Sequence, residues 1–371
     1  MNKWYCPVPF KSASVNPTGY YTLCCVAKVG SEKYHLTKNT MSEFISSDWL
    51  SNIKNKFNSK DINLLEDDEI KNVCISCIKR EQSGFKSKRI REMETIKPPY
   101  LEFKLGNICN LECVMCNSYS SSKIAEKEGL SDKYPKYIHL TEEWYEDFKK
   151  IAPQYGAFRF SGGEPFMAPS MKRILKCLEE IGHTNVILWA STNGSPSKKV
   201  IEGLCKKFKR VSITVSVEAW GNRNDIIRIG STWDFMHSRI IDYLDLAKKY
   251  PNFRITYTPA VSIVNIGYLH LFTDFVNEIK DYSNATFSVS NAVATPIELN
   301  AFYLPNDIKK YYLEKNENFL NMKHVKNGKT ILKNLQTELI NEKDFSASIE
   351  FLNKKIPTWR EWYPEFLPYD T

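Results

Sequence analysis

Between residues 100 and 290 short apolar runs alternate with stretches whose apolar positions recur every three to four residues, a pattern few folds accept. The apolar runs, Tyr100–Leu105, Ala157–Phe160, Val186–Ala190, Val211–Val217, Arg254–Thr258 and Thr286–Val289, read as strands. Between them, sets such as Trp144, Phe148 and Ile151, or Met236, Ile240 and Leu244, line one face of a helix. A helix between consecutive strands makes those strands parallel. Six such strands fall short of the eight of a closed barrel. The expected fold class is therefore α/β, a partial (β/α)6 barrel of TIM type over residues 96–300.

The flanks read differently. Residues 1–95 are turn-rich, with Asn16-Pro17-Thr18-Gly19 and the acidic run Glu66-Asp67-Asp68-Glu69, and are expected to form a small Cys-rich module. Residues 301–371 predict a helical extension ending in the aromatic tail WREWYPEFLPYD, whose Trp359, Trp362, Tyr363, Phe366 and Tyr369 are expected to cover barrel surface left bare by missing strands. The basic run Lys79, Arg80, Lys86, Lys88, Arg89 and Arg91 reads as a solvated linker.

Ten cysteines occur among 371 residues, eight of them before residue 117. The opening MNKWYCPVPF has no apolar signal region, and no apolar run reaches the ~18 residues of a membrane span, so a cytoplasmic location is expected and no membrane partner. In a reducing compartment clustered thiols point to metal or catalysis before disulfides. Cys177 and Cys205 fall on apolar helix faces and read as core. A net charge of +8 is modest for this length and does not imply nucleic acid.

Cys109, Cys113 and Cys116 stand just after the first strand, at the end where parallel α/β folds place their chemistry. Three thiolates in one loop can hold a corner of an iron–sulfur cubane, whose closure needs a fourth ligand; a zinc knuckle completed from elsewhere is the other reading. After the second strand, Gly162, Gly163, Glu164 and Pro165 pair a backbone that can approach a ligand with a carboxylate that can receive an ammonium group. Ser216 and Glu218 lie two apart on one face of the fourth strand, followed by Arg228.

CNLECVMC resembles the CxxxCxΦC hallmark of the radical SAM superfamily, with Met115 at Φ, and GGEP, the Ser191-Thr192-Asn193-Gly194 turn and S-x-E followed by Arg resemble its S-adenosylmethionine (SAM) contacts. The resemblance implies a 4Fe–4S cluster on Cys109, Cys113 and Cys116 that passes an electron to chelated SAM. It also implies that Glu164 receives the methionyl amine, Ser216 and Glu218 the ribose, and Arg228 the carboxylate, with Asn193 and Met115 beside them.

Cys6, Cys24, Cys74 and Cys77 supply four thiolates, enough to close a 4Fe–4S cluster or a tetrahedral zinc site. Their setting, CPVPF, PTGYYTLCC and CISCIKREQSGFKSKR, resembles the twitch-type module, a short relative of the SPASM domain, which implies a second, auxiliary 4Fe–4S cluster; Cys25 is a buried or reserve thiol. The resemblances imply a radical enzyme that abstracts hydrogen from a peptide or small polar substrate, oxidising or crosslinking a peptide, with flavodoxin or ferredoxin as electron donor. Modification of a nucleotide or sugar is the alternative within this chemistry. A zinc-stabilised nucleic-acid-binding protein is the alternative outside it.

Overall fold

The computed structural model describes residues 5–27, 33–59, 66–82, 86–95, 98–290, 293, 296–337 and 345–370. By its contacts the chain forms two units, the first comprising Met1–Cys109, Ser118–Ser191 and Lys206–Val211, the second Asn110–Asn117, Thr192–Cys205 and Ser212–Thr371.

In the first unit strands β1 (Ser12–Val15), β2 (Tyr21–Thr22), β3 (Tyr100–Phe103), β4 (Ala157–Phe160) and β5 (Ile187–Thr192) stand in the order β2-β1-β3-β4-β5. All neighbours are parallel except β1 and β2, and the register runs through Ser12, Tyr100, Ala157 and Ile187. Helix Glu142–Ile151, capped by Thr141, lays Trp144 and Phe148 against Phe103 of β3. Trp144 Nε1 donates to the Tyr21 hydroxyl at 2.8 Å, tying the N-terminal hairpin into the same core.

In the second unit β6 (Arg210–Ser216, whose first two residues belong to the first unit), β7 (Phe253–Thr258), β8 (Ala285–Ser288) and β9 (Val325–Lys326) follow in that order, β7 to β9 parallel. Residues of β7 alternate strictly between buried and half-buried positions, as a strand covered on one face requires. Trp359, Tyr363 and Phe366 of the tail are wholly buried. They pack with Tyr268, Tyr312 and Phe345, so the tail closes over the helical layer of this unit.

The fold is thus α/β with a mostly parallel sheet, and all six expected strands are present. Two boundaries differ from expectation. Residues 1–95 are not set apart, because β1 pairs directly with β3. Nor do residues 301–371 stand outside the sheet, since β9 extends it. Ser12-Ala13-Ser14-Val15 lacks the β-branched run that marks a strand, yet all four residues are buried.

Candidate active site

The end of β3 leads through Lys104 to the cysteine loop, and in the first unit the GGEP turn is stitched onto this connection. Gly162 and Gly163 hold φ of +82° and +45°. A Cβ on Gly162 would stand 3.0 Å from Lys104 Cβ, and one on Gly163 2.2 Å from the Ile108 carbonyl oxygen, so both positions need glycine for space as well as for backbone angle. The Glu164 N–H donates to the same Ile108 carbonyl at 2.6 Å. Its side chain is wholly buried and accepts from the Phe166 N–H at 3.2 Å, capping the short helix that starts at Pro165. Cys109 is held at its backbone by Ser122, whose hydroxyl accepts from the Cys109 N–H at 3.2 Å.

In the second unit the remainder of the cysteine loop is strapped to the segment that carries Arg228. The Glu112 N–H donates to the Ile229 carbonyl at 2.8 Å and the Val114 N–H to the Ile227 carbonyl at 2.9 Å, one on each side of Arg228. Arg228 is buried and its Nη1 donates to Glu218 Oε1 at 3.0 Å. Glu218 Oε2 accepts from the Ala260 N–H at 2.7 Å. Burial raises the Glu218 carboxyl above its ordinary range, and Arg228 opposes the shift. The buried Cys113 thiol is likewise raised by burial, eased by Arg228 and worsened by Glu218. Asn193 Nδ2 donates to Asn110 Oδ1 at 2.8 Å, bringing the turn after β5 to the start of the loop. Ser216 ends β6 half-buried, and Met115 is half-buried within the loop.

The four N-terminal thiols also converge. Cys6, Cys24, Cys74 and Cys77 line one pocket of the first unit, walled further by apolar side chains such as Val8, Leu23 and Phe57 and by Glu81, Lys88 and Arg89. Cys74 and Cys77 project from one face of the helix Asp68–Gln82, three residues apart. Burial pushes the Cys6 thiol up to about 12, with the Cys77 charge adding to it and Arg89 and Lys88 easing it. Burial raises Cys24 and Cys74 as well. Among the described residues no three His, Cys, Asp or Glu side chains form a group that could hold a metal ion. The donor chemistry nevertheless suits iron and sulfide, since four soft sulfur ligands share one pocket.

The pocket's cations correct the reading of the basic run. Lys88 and Arg89 are buried in the pocket wall instead of solvated. Lys88 pairs with Glu92 at 3.2 Å, and Arg89 with Glu81. Cys25 does not face this pocket but a separate cavity. Sequence reasoning also missed Asn224 and Asn265, both wholly buried. Asn224 Oδ1 accepts from the Glu218 N–H at 3.0 Å, and Asn265 Nδ2 donates to the Glu218 carbonyl at 3.1 Å. Asparagines at 222 and 224 after β6 and at 265 after β7 are weak as a motif, and only burial distinguishes Asn224 and Asn265. Cys177 and Cys205 lie in the core as expected.

Residues 103–259 match the Radical SAM superfamily. A S-adenosylmethionine-dependent nucleotide dehydratase from Lacinutrix mariniflava is 29% identical over 134 residues, covering 35% of this chain and 25% of that protein. Among solved structures, SuiB of Streptococcus suis bound to S-adenosylmethionine is 14% identical, with a TM-score of 0.43 over 76% of this chain and 61% of SuiB. AnSMEcpe with bound AdoMet is 17% identical, with a TM-score of 0.42 over 61% of this chain and 62% of its own. The chain thus spans a quarter of the curated relative and about three fifths of these structures.

Proposed function

We propose, from the premise that residues 103–259 are a radical SAM domain, that this enzyme cleaves SAM reductively and abstracts hydrogen from a substrate. The observation that supports the reading is the strapping of the Cys113 loop around Arg228, with the Cys113 thiol within electrostatic reach of the guanidinium. Cys109, Cys113 and Cys116 would hold a 4Fe–4S cluster. When bound, that cluster supplies the electron that splits SAM into methionine and a 5′-deoxyadenosyl radical.

The chain's own residues orient the co-substrate. Arg228 receives the SAM carboxylate, and Glu218, with both oxygens engaged, positions Arg228 in place of gripping the ribose itself. Ser216 at the strand end remains for the ribose. Buried Glu164 receives the methionyl amine, while Gly162, Gly163 and Pro165 shape its turn. Asn193 fixes the neighbouring turn, and Met115 packs on the adenine.

Cys6, Cys24, Cys74 and Cys77 would hold an auxiliary 4Fe–4S cluster, a reading supported by their shared pocket. With flavodoxin or ferredoxin as donor in the cytoplasm, the substrate is a peptide that is oxidised or crosslinked. A second reading, modification of a nucleotide, is favoured by the relative named as a nucleotide dehydratase. Anaerobic reconstitution tests the proposal. Brown protein with about eight irons per chain that forms 5′-deoxyadenosine under dithionite is expected; colourless, zinc-loaded protein would sink it in favour of a zinc-stabilised binding protein.

A further inference from the structure

Beside the end of β3, a cavity of about 240 Å³ opens in the first unit, far more than one water requires. Its polar lining is Asn16, Thr22, Cys24, Cys25, Lys104 and Tyr119, and Lys104 brings the one formal charge among the described residues. We propose that this cavity is the substrate pocket and that the Lys104 ammonium binds an anionic group of the substrate, a carboxylate or a phosphate. The proposal rests on the radical SAM reading for the word substrate and on geometry for the rest.

Lys104 Nζ donates to the Cys25 carbonyl at 3.3 Å, using one of three donors. Among the described residues no carboxylate stands within ion-pair distance of it. Glu102, two residues earlier on β3, is taken by Arg159 at 3.6 Å. A half-buried ammonium facing a roomy cavity, with no acid among the described residues of its lining, is a site short of one negative charge. Neutral donors stand around it, since burial, with Tyr134 next, pushes the Tyr119 phenol up to about 12 and keeps its proton in place.

Position argues the same way. The Lys104 stem passes over Gly162, where any Cβ would crowd it, so the GGEP turn and the lysine are built around each other. Five residues further on is Cys109. Cys24, Val26 and Ala27 line both this cavity and the pocket of the four thiols, so a ligand on Lys104 is one loop away from that pocket.

Calorimetry on the reconstituted full-length chain with SAM tests this, using uridine triphosphate as the phosphate probe and an acidic hexapeptide as the carboxylate probe. The wild type should bind one of them, which identifies the source of the anion. Lys104→Gln should weaken that binding at least tenfold, while Lys104→Arg restores it to within about threefold. Lys123→Gln, which removes an exposed lysine of the same unit, should change nothing. Asn16→Asp keeps the shape of the wall but sets a carboxylate in it, and should weaken the same binding even if Lys104→Gln fails to fold. Binding of neither probe, or equal binding by wild type, Lys104→Gln and Asn16→Asp, overturns the pocket. Deoxyadenosine release by the wild type is scored separately. Lys104-dependent binding without it supports the pocket and overturns the radical reading; release without Lys104-dependent binding does the reverse.

Discussion

Glu218 and Arg228 are each other's counter-charge in a place almost without water, at 3% and 6% exposure. Removing one partner of such a pair leaves a stranded ion, which costs about 3–5 kcal/mol, more than the pair itself contributes. Arg228→Ala should therefore lose stability by that amount in urea titration and bind SAM poorly. Glu218→Gln combined with Arg228→Met should recover most of the stability and none of the SAM affinity. If the double variant also regains SAM affinity, Arg228 has no role in binding. The sequence displayed both residues, and their spacing placed them at one strand end. It could not display that they pair, because the carboxylate's second partner is a backbone N–H at Ala260, 42 residues on, and backbone donors carry no signature in sequence.

Loops and helices decide which thiols act together. The Cys109–Cys116 loop is fixed through its backbone to Ser122 and to residues 227–229, so replacing the three thiols leaves its frame in place. The triple Ala variant should lose about four irons and all deoxyadenosine formation, read by iron assay and chromatography, and keep its fold by circular dichroism. Undiminished deoxyadenosine would refute the assignment. Replacing Cys74 and Cys77 on the helix Asp68–Gln82 should instead remove the other cluster, sparing SAM cleavage while ending substrate conversion. A folded variant that converts substrate normally would make that cluster purely structural.

At this scale legibility followed patterning. Strands such as β7, with alternating burial, were visible at once. β1 was not, since two serines and an alanine look like a turn until β3 and β2 flank them. Two-residue β9 is too short to carry any period. The buried pair Lys88 and Arg89 was hidden for the same kind of reason, because the acids that neutralise them, Glu81 and Glu92, read as ordinary surface charge.

For the whole molecule, the thiol pocket couples folding to pH, and on the proposed reading to iron as well. Cys6 holds its proton more tightly in the folded, metal-free chain than the ordinary 9.0, with its value pushed to about 12 by burial. A raised value adds stability that is full below about pH 9 and drains away as pH climbs toward 12. The urea midpoint of metal-free protein should fall between about pH 8 and pH 10.5, and Cys6→Ala should flatten that fall. Loading iron demands thiolates, so reconstitution in weak buffer should release about one proton per ligating thiol. No proton release would mean the thiols are not ligands.

The pairing of β1 with β3 also bears on where such a chain can be cut. Residues 12–15 guard the flank of a strand whose four residues are all buried. A chain begun at residue 96 would offer that flank bare, with its unpaired amides and carbonyls ready to template another copy. Such a fragment should come out of solution as sheet-rich aggregate instead of a working catalytic domain. The cysteine-bearing head therefore cannot be removed without baring the strand it shields.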